Sequence, residues 1–141
     1  MSYEIPKFFT ELNPNLIYYI QDYLHWTSFN KIQEEAIPVI NKGEDTLLIA
    51  PTASGKTEAV MIPVFNDILN NHLEPMSVLY ISPLKALIND MNSRIEKWSE
   101  YFSLTTTRWH GDVNSSQKAK FIKNPTDFLS ITPESLEVIL M

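Results

Sequence analysis

The run Ala50-Pro51-Thr52-Ala53-Ser54-Gly55-Lys56-Thr57 concentrates the residue types that hold polyphosphate. It follows the apolar stretch Thr46-Leu47-Leu48-Ile49-Ala50 and precedes a helical pattern. In that context a loop turns its backbone N–H groups around anionic oxygens, and the next helix adds the partial positive charge of its N-terminus. Lys56 supplies a mobile point charge, and Thr57 a hard hydroxyl oxygen suited to Mg²⁺. The chemistry is the binding of a nucleoside triphosphate, with ATP the expected ligand. The strict pattern G-x-x-x-x-G-K-[ST] has its first glycine replaced by Ala50, and Ala53 must keep a Cβ in a turn where glycine is the easier residue. Alone, Gly-Lys-Thr is equally a glycine turn with a surface lysine. The strand before it and the helix after it favour the phosphate site.

The elements around this loop form an alternating series. Residues 15–24 and 29–41 carry apolar side chains at helical spacing, Leu16, Ile17, Ile20 and Leu24 in the first and Ile32, Ala36, Ile37 and Ile40 in the second. Pro38 is expected to kink or shorten the second helix, and Gly43 to stop it. Residues 46–50 read as a buried strand, and a helix runs from the Gly-Lys-Thr to about Asn71, interrupted by Pro63. Residues 77–82 form a second buried strand, followed by an amphipathic helix over 84–102. The unit recurs as strand 105–109 with helix 115–123, and as strand 128–132 with a helix opened by Pro133 and continuing over 136–140. Strands alternating with helices predict right-handed crossovers and a three-layer α/β/α domain built on a parallel sheet. Ligands of such sheets bind at the carboxyl ends of the strands, which gathers the loops 51–57, 83–85, 110–112 and 133–135 on one edge.

Composition bounds the reading. The chain has 141 residues, 44% hydrophobic and 20% charged, which suits one domain. No apolar run is long enough to span a bilayer and no secretory signal opens the chain, so the expected address is cytoplasmic, without membrane contact. With Cys 0 there is no disulfide framework and no thiolate metal site. A net charge of -6 argues against holding nucleic acid by overall attraction, so any such binding must be local. Lys118, Lys120 and Lys123 on the short helix read as a solvated face.

Taken as a set, the loops resemble the first RecA-like domain of a superfamily 2 DEAD/DEAH-type helicase, nearest the large-helicase-related (Lhr-like) group. Residues 50–57 resemble motif I, whose helicase form begins with alanine, although Ala53 stands where the family usually has glycine. Ser82-Pro83-Leu84-Lys85-Ala86-Leu87 resembles motif Ia and Thr132-Pro133-Glu134-Ser135-Leu136 motif Ib, which in the family touch the sugar-phosphate backbone of one strand. Trp26-Thr27-Ser28-Phe29-Asn30-Lys31-Ile32-Gln33 resembles the Q motif, with Phe29-Asn30 in place of Pro-Thr, and implies Gln33 at the adenine edge.

The resemblance therefore implies ATP and Mg²⁺ as cofactors, held by Gln33, Thr52, Ala53, Ser54, Gly55, Lys56 and Thr57, with Thr57 on the metal. It implies single-stranded DNA or RNA along Pro83, Lys85, Gly111, Thr132, Pro133, Glu134 and Ser135. It divides the chain into a helical segment over 1–44 carrying the Q-like motif and a partial RecA-like domain over 45–141, of P-loop NTPase type and incomplete at the C-terminus.

The family's Asp-Glu box and second RecA-like domain lie beyond Met141, so residues 1–141 are expected to show no ATP-driven unwinding. The family's strand order also separates the strand at 46–50 from that at 77–82 by two strands that would follow Met141. An exposed apolar edge at 46–50 is expected, with the piece marginal, dimeric, or completed by the missing helicase portion or another chain. Two other readings remain: a non-catalytic nucleotide- or partner-binding module, and a small P-loop kinase with Lys118, Lys120 and Lys123 in a lid. The kinase leaves the Ser-Pro-Leu-Lys and Thr-Pro-Glu-Ser strings unexplained.

Overall fold

A computed structural model describes residues 3–51 and 53–141, which fall into two compact units, Met1–Leu73 and Glu74–Met141. Among the sequence candidates for the nucleotide site, Thr52 lies outside the described residues.

The first unit is helical. Helix α1 (Lys7–Thr10) is short, and α2 (Pro14–Tyr18) runs on as one π-helical turn (Tyr19–Tyr23). Asn13 caps α2 by accepting from Asn15 N–H at 2.9 Å. It also donates through its backbone to Asn66 Oδ1 at 2.8 Å and through Nδ2 to Asn70 Oδ1 at 2.9 Å, which ties the start of α2 to the end of α4 (Lys56–Asn71). Helix α3 (Lys31–Asn41) packs along α4. The core holds Phe8, Phe9, Leu16, Tyr19, Ile20, Ala36, Ile37, Ala59, Ile62 and Phe65.

Pro38 was expected to kink or shorten its helix and Pro63 to interrupt the other, yet α3 runs to Asn41 past Pro38 and α4 is continuous through Pro63. Each proline removes a single ladder bond, and the apolar faces pressed together across the pair hold both helices on either side of that gap. Gly43, at φ +79°, stops α3 as expected by donating to Ile40 C=O at 2.9 Å.

The strand expected over 46–50 does not form. Leu47 and Ile49 are 82% and 83% exposed. A strand is defined by its ladder, and an extended segment without neighbours leaves its N–H and C=O groups to water however β-prone its side chains are. The exposed apolar strand edge expected there is therefore not a strand edge: the exposed Leu47 and Ile49 lie in a segment without secondary structure.

The second unit is an α/β layer structure. Strands β1 (Val78–Ile81), β2 (Thr106–Trp109) and β3 (Phe128–Ile131) form a parallel sheet in the order β1-β3-β2. Tyr80 and Arg108 both stand in register with Ser130. Central β3 is buried at all four residues, as a strand covered on both faces must be. On one face Leu129, Ile131 and Trp109 pack with Phe121 of α6 (Ser115–Lys123) and Leu136 of α7 (Pro133–Leu140). Helix α5 (Lys85–Tyr101) packs on β2 and β3, burying Ile88, Ile95 and Trp98. Asp127 sets the start of β2, its Oδ2 accepting from Thr105 N–H at 2.9 Å and Thr105 Oγ1 at 3.1 Å.

Candidate functional site

The phosphate-loop candidates lie in the first unit. Gly55 is the N-cap of α4 at φ +85°, and Ala53 is also left-handed at φ +61°, the strained position the sequence exposes. Lys56 opens α4, and its Nζ donates to Ala50 C=O at 2.6 Å, so the ammonium lies back across its own loop. Ser54 Oγ is buried and has no hydrogen-bond partner among the described residues. Thr57 is half-buried in the first turn of α4. A buried hydroxyl without a partner among the described residues, a lysine at the head of a long helix and that helix's N-terminal dipole together fit a polyphosphate.

Gln33 is 5% exposed. Its Oε1 accepts from Asn30 N–H at 3.1 Å and its Nε2 donates to Gly55 C=O at 3.4 Å. Asn30 donates from Nδ2 to Ser54 C=O at 2.9 Å. Asn30 is thus a loop contact that motif reasoning missed. Its signal was the pattern Asn30-x-x-Gln33, which is a helix capping box.

The second unit carries the other candidates. Its three strands are parallel, so the segments after them emerge on one edge. After β1 come Pro83 and Lys85, after β2 His110, Gly111 and Asp112, and after β3 Thr132, Pro133, Glu134 and Ser135. Pro83, Lys85, Gly111, Asp112, Pro133 and Glu134 are exposed. Lys85 Nζ pairs with Asp112 Oδ1 at 3.1 Å. A Cβ placed on Gly111 would lie 3.7 Å from the same ammonium, so the turn passes close under it. Buried Thr132 donates from Oγ1 to Ser135 Oγ at 3.0 Å, and Pro133 occupies the first turn of α7, where its missing N–H costs nothing.

His110 is 5% exposed and fixed at both nitrogens. Nδ1 accepts from Asp112 N–H at 3.2 Å, so the proton is on Nε2, which donates to Asn89 Oδ1 at 3.1 Å. Arg108 Nη1 reaches the same oxygen at 3.3 Å. Burial pushes the imidazole below its ordinary value of 6.5; Asp112 opposes this, and Lys85, Arg108 and Lys118 add to it. Asn89 is a further residue that sequence reasoning missed, and Asp112 was placed only as part of the loop 110–112, because their roles depend on which turn lies beside α5.

Among the described residues no group of three His, Cys, Asp or Glu could hold a metal ion, and no helix is long and apolar enough to cross a membrane.

The family model for the DEAD/DEAH box helicase matches residues 30–141. The chain belongs to this family. The chain is 32% identical over 111 residues to the DEAD-box ATP-dependent RNA helicase RhpA of Helicobacter pylori, covering 79% of this chain and 22% of that protein. It is 35% identical over 126 residues to the ATP-dependent helicase Lhr-Core of Sulfolobus acidocaldarius, covering 80% of this chain and 14% of that protein. Among solved structures, Mycobacterium smegmatis helicase Lhr bound to ssDNA and AMP-PNP superimposes with a TM-score of 0.79 at 30% identity, over 92% of this chain and 18% of that one. The yeast DEAD-box splicing factor Prp28 superimposes with a TM-score of 0.81 at 23% identity, over 99% and 34%, and shows the fold. These likenesses make the α/β architecture that of a RecA-like helicase domain. The chain spans 22% and 14% of the length of these two curated relatives.

Proposed function

We propose that these 141 residues are the nucleotide-gripping first part of an ATP-dependent nucleic-acid helicase. ATP would lie on Ala53, Ser54, Gly55, Lys56 and Thr57, with Thr52 in the same loop. The observation that carries this reading is the buried Ser54 hydroxyl, without a partner among the described residues, beside Gly55 and Lys56 at the head of α4. Lys56 exchanges the Ala50 carbonyl for a phosphate oxygen, and the first-turn N–H groups of α4 take others. Thr57 offers its hydroxyl to Mg²⁺, which when bound neutralises phosphate charge.

The single strand, DNA or RNA, is held by its backbone. Lys85, the N–H groups at the start of α5 and α7, and the hydroxyl of Ser135 are donors that recognise phosphate without reading a base. The Lhr structure bound to ssDNA and AMP-PNP supports both halves of this reading. The role proposed for these residues is the binding of nucleotide and strand.

Titration with a fluorescent ATP analogue tests the cradle. Lys56→Ala is expected to weaken binding by roughly tenfold or more, the worth of one charge-assisted hydrogen bond. Unchanged affinity would remove Lys56 from the site.

A further inference from the structure

Strand β2 stands at the edge of the sheet, with β3 as its one neighbour among the described residues. Phe128 N–H donates to Thr105 C=O at 3.1 Å and Thr132 N–H to Trp109 C=O at 3.3 Å. A strand in a parallel ladder serves one neighbour with alternate residues, so Thr105, Thr107 and Trp109 face β3, and Thr106 and Arg108 turn their N–H and C=O groups to the free edge. The helices that cover the sheet wall this edge on both sides. Arg108 reaches Asn89 of α5 on one face, and Trp109 meets Phe121 of α6 edge to face on the other, ring centres 5.8 Å apart. Between the walls lies a cleft of about 640 Å³, lined by Asn92 and Glu96 of α5, by residues 105–108, and by Gln117 and Lys120 of α6. Glu96 and Thr106 also border a second cleft of about 320 Å³, which reaches Ser99 and Glu100.

Asn92 is 5% exposed, yet its Oδ1 has no hydrogen-bond partner among the described residues, and the same holds for the buried Ser99 Oγ beside the second cleft. A buried acceptor bordering a polar cleft lacks a donor, and a backbone N–H is the donor that an extended chain carries at almost every residue. We infer that this cleft takes an extended peptide of a partner protein, added to the sheet as a strand beside β2, with basic and acidic side chains alternating along it. The main-chain groups of Thr106 and Arg108 supply the pairing. The charges of the two walls set the sequence class. Side chains of an added strand point alternately to the two faces of the sheet. Those on the α5 face meet Glu96 and Glu100, and those on the α6 face meet Lys120. None of these three is in an ion pair among the described residues, so each is open to a partner of opposite sign.

The test uses the full chain and two end-blocked hexapeptides of equal composition, Lys-Glu-Lys-Glu-Lys-Glu and Lys-Lys-Lys-Glu-Glu-Glu. Both are neutral overall, so the net charge of -6 on the chain favours neither. In ¹⁵N titrations the alternating peptide is expected to shift the amides of Thr106 and Arg108 together with those of Asn92 and Glu96. It should bind roughly fivefold more tightly than the block peptide, the worth of two cross-strand charge pairs. Glu96→Lys, at an exposed position of α5, should remove that advantage. Thr106→Pro deletes an outward N–H and spares the ladder to β3, so it should weaken the alternating peptide while the β3 amides stay protected. Methylating one alternating set of the peptide's own backbone nitrogens should give the same loss with the protein unchanged. Equal binding of the two peptides, shifts confined to the loops at 83–85, 110–112 and 133–135, or no shift at millimolar peptide would overturn the proposal. So would a chain that sediments as a dimer and becomes monomeric as Thr106→Pro, since the occupant of the edge would then be a second copy.

Discussion

Two residues show how local chemistry sets the behaviour of the loops. Gly55 is irreplaceable on two counts, its φ of +85° and the side-chain amides where a Cβ would go. Gly55→Ala is expected to cost about 1–3 kcal/mol in urea unfolding and to weaken nucleotide binding, since the loop must move off Asn30 and Gln33 to admit the methyl. An alanine variant as stable as the parent would mean that the loop does not sit on that pair. His110 carries a pH dependence with a definite sign. Its folded-state pKa lies below the ordinary 6.5, so the unfolded chain binds the proton more tightly. The stability it contributes is complete above about 6.5 and declines as pH falls through that value toward the lower folded one. The geometry gives the same direction, because protonation of Nδ1 abolishes the bond from Asp112 N–H. Urea midpoints of the parent should drop between pH 7 and pH 5 more than those of His110→Gln, and the imidazole should titrate below 6.5 by NMR. A titration at or above 6.5 would sink this account.

At the scale of elements, the segment 46–50 separates what a sequence says from what a chain in hand must satisfy. Leu47 and Ile49 have the composition of a core strand but lie in water, while Phe65 on α4 is fully buried. Leu47→Ala should therefore change stability by no more than about 0.5 kcal/mol, whereas Phe65→Ala should cost about 3–5 kcal/mol. A loss at Leu47 as large as that at Phe65 would show that the segment is packed in solution. Elsewhere the periodicities were legible. The helix expected over 115–123 is Ser115–Lys123, and the strand expected over 105–109 is Thr106–Trp109. Their signals are complete within a few residues, since an N-cap asparagine, a β-branched run and a proline at a helix start act locally. The loop residues were legible as a family pattern, but their partners were not. That Lys85 meets Asp112, or that Gln33 spends its amide on Gly55, depends on how turns lie across space, which motif spacing does not encode.

For the whole molecule the governing quantity is charge. A net charge of -6 sets a repulsive background for nucleic acid, and binding must overcome it locally. On the edge of the second unit the ammonium of Lys85 is already paired with Asp112, so a phosphate gains a cation only by displacing a carboxylate. The remaining donors proposed there are backbone N–H groups and hydroxyls, which orient a phosphate but release few counterions. This predicts weak binding of single-stranded oligonucleotide with a shallow salt dependence, equivalent to one or two phosphates. Raising salt from about 50 to about 200 mM should lower the association constant by roughly three- to sevenfold. Asp112→Asn frees Lys85 and removes a negative charge, so it should tighten binding, and Lys85→Ala should flatten the salt dependence. Fluorescence anisotropy against a labelled oligonucleotide reads all three. Tight binding that persists at high salt would mean that stacking on bases, not phosphate contact at this edge, holds the strand.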